Sequence, residues 1–259
     1  MSEFKLYGRV FIRGTIKAKT GLHIGGSEGA ITIGGVDNTV IRDPLSGRPY
    51  IPGSSLKGKM RSLTEKSDGL EARQRIGRDV KIHVCTKENE YNSCDVCNIY
   101  GVPAENYSLP TRLIVRDVPL TDESAKKLET LQTDLPYTEV KTEVAIDRVT
   151  SAAVPRQLER VPAGADFGEF ELVFSLYEKE DAARFKKVVS GMSLVEDDYL
   201  GGSGTRGSGK IAFESIAVRL KKSDSYLNEN VLGNTTYATL DKLIADLDNI
   251  QAGISNLFA

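Results

Sequence analysis

The chain has 259 residues, 40% of them hydrophobic and 27% charged, which is enough for a domain with a substantial core. Its formal net charge of -2 excludes a globally basic protein, so any nucleic acid must be contacted by locally gathered cations. No stretch has the length of a membrane span, and the opening residues MSEFKLYGRVF do not resemble a signal peptide. We therefore expect a cytoplasmic protein without membrane contact, whose three cysteines are reduced or bound to metal.

The first half of the chain predicts two strands, a long loop and two helices. Apolar residues at even positions from Phe4 to Ala18 indicate a half-buried strand. The glycine-rich stretch GLHIGGSEGAITIGGVDN follows, and a helix is then expected to be capped by Ser54 or Ser55. The stretch TRLIVRDVPL is typical of a strand, and Thr121 is expected to cap the short helix after it.

The second half has clearer periodicity. Alternation from Phe170 to Leu176 predicts a strand, and helical spacing runs from Ala182 to Met192. The glycine-rich stretch YLGGSGTRGSGK precedes a strand, IAFESIAVRL, and apolar residues at helical spacing from Leu240 onward predict a C-terminal helix. This order favours an α+β fold with a ferredoxin-like or RNA-recognition-type core and helices on one face of the sheet.

We interpret residues 1–259 as one domain with three inserts that project from the core. The inserts are residues 20–50, 79–111 and 134–166, which have little periodicity or mix charged residues with Pro and Gly.

The second insert contains every cysteine of the chain. In HVCTKENEYNSCDVC, the spacing H-x-C followed by C-x-x-C brings four soft ligands within fifteen residues: His83, Cys85, Cys94 and Cys97. This set matches tetrahedral zinc, and the alternative is a cluster of free thiols. Four protein ligands leave no position for a reacting water, so we interpret the site as structural, pinning a loop that lacks periodicity.

Basic residues lie at the predicted helix start and in the second glycine-rich stretch. Lys57 and Arg61 are four residues apart and share a helix face, while Lys59 points elsewhere. Arg206 and Lys210 accompany glycines whose N–H groups can hold a phosphate. A solvated helix face and a flexible turn are the respective alternatives.

The third insert and the first each carry a further candidate. Arg148, Arg156 and Arg160 are interleaved with apolar residues in an arm that would suit a polynucleotide, or that forms an ordinary hairpin. His23 is the histidine outside the cysteine-rich stretch and a candidate general base, although a packing or surface role is commoner for such a residue. Asp37, in ITIGGVDNTVIRDP, either belongs to a turn or offers its carboxylate to a ligand.

Four stretches together resemble one family: TGLHIGG, GGVDNTVIRDPLSGRPYIPGSSLKGKMRSLTE, DRVTSAAVPRQLERVPAGADF and DDYLGGSGTRGSGKI. They are similar, in the same order, to the repeated backbone subunit of the type III-A CRISPR effector, the Csm complex. That subunit is a member of the RAMP superfamily, in the Cas seven group. The resemblance covers most of residues 5 to 220, and the second and fourth stretches are its most specific parts.

The resemblance implies a filament of copies along CRISPR RNA, with other Csm subunits and target RNA as further partners. A thumb-like hairpin at residues 139–165 would interrupt the guide–target pairing at regular intervals. The basic residues of the helix start and of the glycine-rich stretch would contact the guide backbone, and a Cys/His zinc site is a family feature. Val144 and Val154 stand where the family pattern often has Asn, so no side-chain hydrogen bond is expected from them.

The resemblance also implies endoribonuclease chemistry at Asp37. The RNA 2′-hydroxyl would attack the adjacent phosphate to give a cyclic phosphate and a 5′-hydroxyl, with a divalent cation, magnesium or manganese, as cofactor. An aspartate with an ordinary pKa of about 3.9 is a weak base at neutral pH, so holding that cation is its expected role. Three alternatives stay open: a non-catalytic guide scaffold, a stand-alone RNA-processing endonuclease that uses His23, and a zinc-stabilised assembly protein without RNA.

Overall fold

The computed structural model describes residues 5–26, 38–77, 80–103, 106–131 and 133–258. Its strands are β1 (Gly8–Ala18), β2 (Tyr50–Ile51), β3 (Gln74–Ile76), β4 (Val80–Ile82), β5 (Leu113–Val115), β6 (Val118–Pro119), β7 (Glu139–Ile146), β8 (Ala153–Arg160), β9 (Asp166–Leu176), β10 (Ile211–Lys222), β11 (Asn230–Val231) and β12 (Tyr237–Thr239). Its α-helices are α1 (Gly53–Ser67), α2 (Glu88–Asn92), α3 (Asp95–Tyr100), α4 (Asp122–Thr130), α5 (Asp181–Asp197), α6 (Leu240–Ala245) and α7 (Leu247–Ser255). None of these helices has both the length and the apolar composition needed to cross a membrane.

The core is an antiparallel sheet in the order β11-β10-β1-β9-β5, with β12 also paired to β10. The predicted first strand is confirmed as β1, the central strand, although it begins at Gly8. Its even-numbered apolar residues are fully buried. The register shifts beside Gly14, where a Cβ atom would lie only 2.8 Å from the carbonyl oxygen of Glu214. The fold is therefore mixed α/β with a sheet core.

Helices α1 and α5 contribute to the same hydrophobic cluster as the even-numbered residues of β1. Leu56 and Met60 of α1 and Phe185 of α5 are fully buried. Gly191 allows α5 to approach closely, because a Cβ atom there would lie 2.9 Å from the hydroxyl of Tyr100 and 3.4 Å from Met60 Cε. The predicted helix from Ala182 is thus confirmed as α5.

The start of α1 differs from the prediction. Ser54 and Ser55 lie inside its first turn, so the expectation that either caps the helix is wrong. Instead, Asp117 accepts a hydrogen bond from the Gly53 N–H at 2.7 Å and satisfies a free donor of the first turn. A side chain at Gly53 would collide with the carbonyl oxygen of Val115, so the close approach requires glycine.

Two other predicted elements are interrupted. The single strand expected at TRLIVRDVPL is wrong: β5 pairs with β9 of the core sheet, whereas β6 pairs with β2 in a separate two-stranded sheet. The single C-terminal helix is also wrong, since α6 and α7 are separated by Asp246, whose carboxylate accepts a hydrogen bond from the Tyr237 hydroxyl at 2.5 Å. The cap of α4 is confirmed: Thr121 accepts from the Ser124 N–H at 3.2 Å.

The third insert forms a two-stranded hairpin, β7–β8, with Glu139 opposite Arg160 and Ile146 opposite Ala153. Its turn is closed by Asp147, whose pKa is lowered by hydrogen bonds from Thr150. Most of the hairpin is exposed, whereas residues 158 and 159 near its base are buried. The hairpin therefore joins the domain at one end only.

Candidate metal centre and nucleic-acid interface

The four predicted metal ligands come together in one cluster. His83 follows β4, Cys85 lies in the next loop, and Cys94 and Cys97 lie just before and within α3. Their ligand atoms all lie within 4.8 Å of one another, and His83 Nε2 is 3.4 Å from the Sγ atoms of Cys85 and Cys94. Tetrahedral zinc with bonds of about 2.0 to 2.3 Å requires ligand separations of this size, so the donor set fits zinc.

The surroundings of the cluster hold the ligands in place. The Nδ1 atom of His83 lies 3.3 Å from the carbonyl oxygen of Glu71, which leaves Nε2 for a metal. The N–H groups of Cys85 and Cys97 point at the sulfurs of Cys97 and Cys94, at 3.4 Å and 3.5 Å. Such N–H donors stabilise negative charge on the sulfur atoms.

In the metal-free cluster, burial and hydrogen bonds between the thiols shift their pKa values in opposite directions. A hydrogen bond from Cys97 lowers the pKa of Cys94 to about 5, whereas burial raises the pKa of Cys85 to about 11. The same contact with Cys94 raises the pKa of Cys97. Zinc ligation requires three thiolates, so metal binding must release protons and weaken as the pH falls.

Arg61 joins this cluster to the core. From α1 its guanidinium donates to Glu65 at 2.7 Å, to the Gly101 carbonyl at 2.8 Å and to the His83 carbonyl at 2.7 Å. Lys57, one turn earlier, donates to the Leu113 carbonyl at 2.8 Å, and burial lowers its pKa. The charged groups of Lys57 and Arg61, both predicted to bind RNA, therefore meet acceptors within the fold.

Asp37 lies outside the described residues, but the chain immediately after it is held firmly. The Asn38 carbonyl accepts from the Glu159 N–H at 3.0 Å, and the Val40 N–H donates to the Glu159 carboxylate at 2.8 Å. Gly26, which precedes the gap, donates to the Thr39 carbonyl at 3.1 Å. The two described ends of this loop thus meet beside the base of the β7–β8 hairpin.

The second glycine-rich stretch joins the same region. The Gly202 N–H donates to the His23 carbonyl at 2.8 Å, and the Gly209 N–H donates to the Gly21 carbonyl at 2.9 Å. Residues 21–26, 38–42, 158–161 and 199–209 therefore form one assembly, which we call the hairpin junction. Its four ranges come from distant parts of the sequence.

Glu159 is the buried centre of the hairpin junction. Its side chain is 2% exposed. The carboxylate accepts hydrogen bonds from the Arg42 guanidinium at 2.5 Å and from the Thr138 hydroxyl at 2.6 Å, in addition to the one from the Val40 N–H. Sequence reasoning missed this cluster, because Arg42 and Glu159 are separated by 117 positions and belong to no recognisable spacing. The available signal in the sequence was Glu159 itself, an acidic residue directly after the apolar Leu158.

His23 is held inside the hairpin junction. The residue is 9% exposed, and its Nδ1 atom lies 2.6 Å from the Glu159 carbonyl oxygen. That carbonyl can only accept, so Nδ1 carries the proton and the ring orientation is fixed. The ring packs beside Gly202, where a Cβ atom would lie 3.2 Å from its Cδ2 atom. A packing role accounts for these contacts.

Three further predicted cations lie at the hairpin junction or beside it. Arg206 is 61% exposed, and it pairs with Glu143 of β7 at 3.0 Å. Lys210 donates to the Glu196 carbonyl. Lys59 of α1 pairs with Asp198 at 2.8 Å and lies 3.6 Å from the centre of the Tyr199 ring, which adjoins the glycine-rich stretch.

The hairpin arginines differ from one another. Arg160 at the base donates to Glu139 at 2.6 Å and lies against Gly21. Arg148 and Arg156 are exposed, and neither has an ion pair with another described residue. Arg148, Arg156 and Arg206 are thus exposed cations that a polyanion can reach.

Comparison with known proteins places the chain in a family. A family model for the RAMP superfamily matches residues 15–212. Two proteins named CRISPR system Cms endoribonuclease Csm3 are each 42% identical to this chain. The match to the protein of Methanocaldococcus jannaschii covers 98% of this chain and 99% of that protein. The match to the protein of Methanothermobacter thermautotrophicus covers 92% of this chain and 95% of that protein. A chain in the crystal structure of a Csm3–Csm4 subcomplex of the type III-A CRISPR-Cas interference complex is 33% identical, with a TM-score of 0.60, and 94% of this chain matches 97% of that one. The chain therefore belongs to the RAMP superfamily and, within it, to the Csm3 family.

Proposed function

We propose that this protein is an endoribonuclease subunit of a type III-A CRISPR effector, which binds CRISPR RNA and cuts complementary target RNA. The observation that carries the proposal is the hairpin junction. It holds the chain next to Asp37, the glycine-rich stretch with Arg206 and an exposed hairpin within one assembly. The endoribonuclease named for the Csm3 relatives is consistent with this arrangement.

The hairpin would act as a thumb that separates guide from target. Support comes from its apolar exposed residues, since Val144, Val149 and Val154 are 53%, 92% and 58% exposed. Exposed apolar side chains can lie against base faces, and Arg148 and Arg156 would contact phosphates. Copies stacked along one guide would repeat this arrangement and cut at regular intervals.

The chemistry would be cleavage by the RNA itself. The 2′-oxygen forms a bond to the adjacent phosphorus, the bond from phosphorus to the 5′-oxygen breaks, and the 2′-proton leaves to a base while the 5′-oxygen gains a proton. The products are a 2′,3′-cyclic phosphate and a 5′-hydroxyl. Asp37 would hold a divalent cation, magnesium or manganese, which when bound supplies charge neutralisation at the phosphate.

The described residues of the hairpin junction would support this reaction by position. Gly26 and Asn38 bring the two ends of the loop together, and Glu159 fixes its second end against the hairpin. Among the described residues, the His/Cys cluster is the group of side chains that could hold a metal ion. Its four protein ligands leave no coordination position for water or substrate, which suits a structural zinc. The divalent cation is therefore assigned to Asp37 as part of this proposal.

The core would be of the ferredoxin-like type. The chain order β1, α1, β5, β9, α5, β10 and the sheet order β10-β1-β9-β5 support this, because they give a strand–helix–strand repeat with the first and third strands central. Residues 1–259 would be a single domain that works in the cytoplasm with further copies of itself and other Csm subunits.

One experiment tests the function as a whole. The protein is purified with its complex, the bound RNA is sequenced, and the complex is challenged with labelled RNA complementary to that guide. We expect CRISPR RNA in the complex and target fragments of regular spacing with cyclic phosphate ends. Complexes that hold CRISPR RNA but leave the target intact would support the non-catalytic scaffold instead. Complexes that hold no RNA would favour an assembly protein.

A further inference from the structure

The ribbon β3–β4 brings two positive charges together. In its antiparallel register Arg75 lies directly opposite Lys81, on one face of the ribbon, where like charges repel. Both side chains are exposed, and neither makes a hydrogen bond or ion pair with another described residue. The nearby carboxylate of Glu71 accepts a hydrogen bond from Arg73 at 2.8 Å, which lowers the pKa of Glu71, and the charge of Lys81 adds a smaller effect in the same direction. Among the described residues, no carboxylate forms a hydrogen bond or an ion pair with either cation of this face.

The ribbon is fixed in place although it adds nothing to the core. Its side chains belong to neither hydrophobic cluster of the described chain. Its root is closed by the contact between His83 Nδ1 and the Glu71 carbonyl, and His83 is one of the zinc-cluster residues. A two-stranded ribbon is marginal by itself, so the cluster holds this cationic face in a defined position.

The sequence around the ribbon opposes the charge of the whole chain. Residues 71–83 contain four basic residues against two acidic ones, in a protein of net charge -2. The apolar residues Ile76 and Val80, 43% and 60% exposed, lie opposite each other on the face that Arg75 and Lys81 do not use. A protein interface would combine apolar and polar groups on one face, whereas contact with phosphates needs cations alone.

We propose that the cationic face of the β3–β4 ribbon is a second RNA-binding surface, which contacts phosphates of single-stranded RNA through Arg75 and Lys81. It is separate from the hairpin junction, and it rests on the proposed function only in taking RNA as the ligand. The contacts are sequence-independent, because phosphates carry no base information. The zinc cluster then has a purpose beyond stabilising its own loop: it positions this surface.

The test compares two charge-matched double variants of the full-length chain. Arg75→Gln/Lys81→Gln removes the ribbon charges, and Lys126→Gln/Lys127→Gln removes two exposed charges from α4. Binding of a labelled 40-nucleotide single-stranded RNA of mixed sequence is measured by fluorescence anisotropy over a series of salt concentrations. We expect the ribbon variant to bind at least about fivefold more weakly and to lose about 1.4 from the slope of log K against log salt, at about 0.7 for each phosphate contact. The α4 variant should bind like the wild-type protein.

Folding is monitored in parallel. Zinc content should be unchanged in both variants, and the charge-conserving variant Arg75→Lys/Lys81→Arg should retain wild-type affinity. Equal affinity and slope for the ribbon and α4 variants would overturn the inference, and loss of affinity by the charge-conserving variant would do the same. Failure of the wild-type protein to bind any RNA would overturn the inference and contradict the proposed function as well.

The apolar face provides a second discriminating measurement. Ile76→Ser/Val80→Ser should leave RNA affinity unchanged under the proposal. If this variant lowers the oligomeric mass in light scattering while Arg75→Gln/Lys81→Gln leaves RNA binding intact, the ribbon is a protein contact and the proposal is wrong.

Discussion

The main-chain N–H of Glu159 donates to the carbonyl of Asn38 at 3.0 Å, so the residue after Asp37 is hydrogen-bonded to the second strand of the hairpin. The Glu159 carboxylate adds a second link to the same segment through the Val40 N–H. A displacement of the hairpin base would therefore move the chain beside Asp37. In the proposed function, the element that separates guide from target and the loop that cuts are parts of one assembly.

The ion pair between Arg42 and the buried Glu159 should be important for stability. Arg42→Ala leaves the carboxylate of Glu159, which is 2% exposed, without its cation. We expect a loss of about 3 kcal/mol in the free energy of unfolding, as found when one partner of a buried ion pair is removed. Urea denaturation provides the measurement. Arg48→Ala is the control, because it removes an ion pair with the exposed Asp122 and should change stability little. Equal effects of the two substitutions would contradict this account of the junction.

Zinc should be present at about one ion per chain and should be lost on acidification. Cys94→Ser removes a ligand, so we expect it to release the metal and to make residues 71–109 sensitive to limited proteolysis while the sheet survives. Zinc is measured by elemental analysis after purification without chelator. Ser93→Ala, at the adjacent exposed position, serves as the control and should keep its zinc. Wild-type protein that carries no zinc would refute the structural metal site.

The predicted RNA contacts should separate into two groups. Arg206→Ala should weaken RNA binding and lower the salt slope by about 0.7 without loss of stability, since each phosphate contact contributes about this much. Arg116→Ala is the matched control, as both arginines are 61% exposed and each has one carboxylate within 4 Å. Arg61→Ala should instead lower stability and zinc retention, because its guanidinium joins α1 to the metal loop. Identical salt slopes for the Arg206 and Arg116 variants would count against a guide contact at Arg206.

Features of the fold and of the candidate site could be predicted from the sequence where the signal is local. The alternation in β1 and the spacing of His83, Cys85, Cys94 and Cys97 depend on neighbouring residues, and the structure has both. Contacts that join distant segments could not be predicted. Asp117 replaces the expected serine cap of α1 from 64 positions away, and Glu159 gathers partners from separate loops.

The same distinction applies to the candidate RNA contacts. The spacing of Lys57 and Arg61 correctly indicates a shared helix face, but it does not reveal what that face meets. The carbonyl groups of Leu113, Gly101 and His83 meet it in the folded chain. Such acceptors have no sequence pattern, because every residue carries one.

The most direct test of the central claim is target cleavage by assembled complexes that contain Asp37→Ala or His23→Ala. Both complexes are first matched for bound CRISPR RNA and for affinity toward complementary RNA, and cleavage rates are then measured with and without a chelator of divalent cations. We predict that Asp37→Ala slows cleavage at least about 100-fold at every regularly spaced site, as expected for a group that acts at the reacting centre. Target binding should stay near normal, the chelator should stop the wild-type complex, and His23→Ala should have a much smaller effect. Normal cleavage by Asp37→Ala together with an inactive His23→Ala complex would contradict the account and favour the histidine-based mechanism.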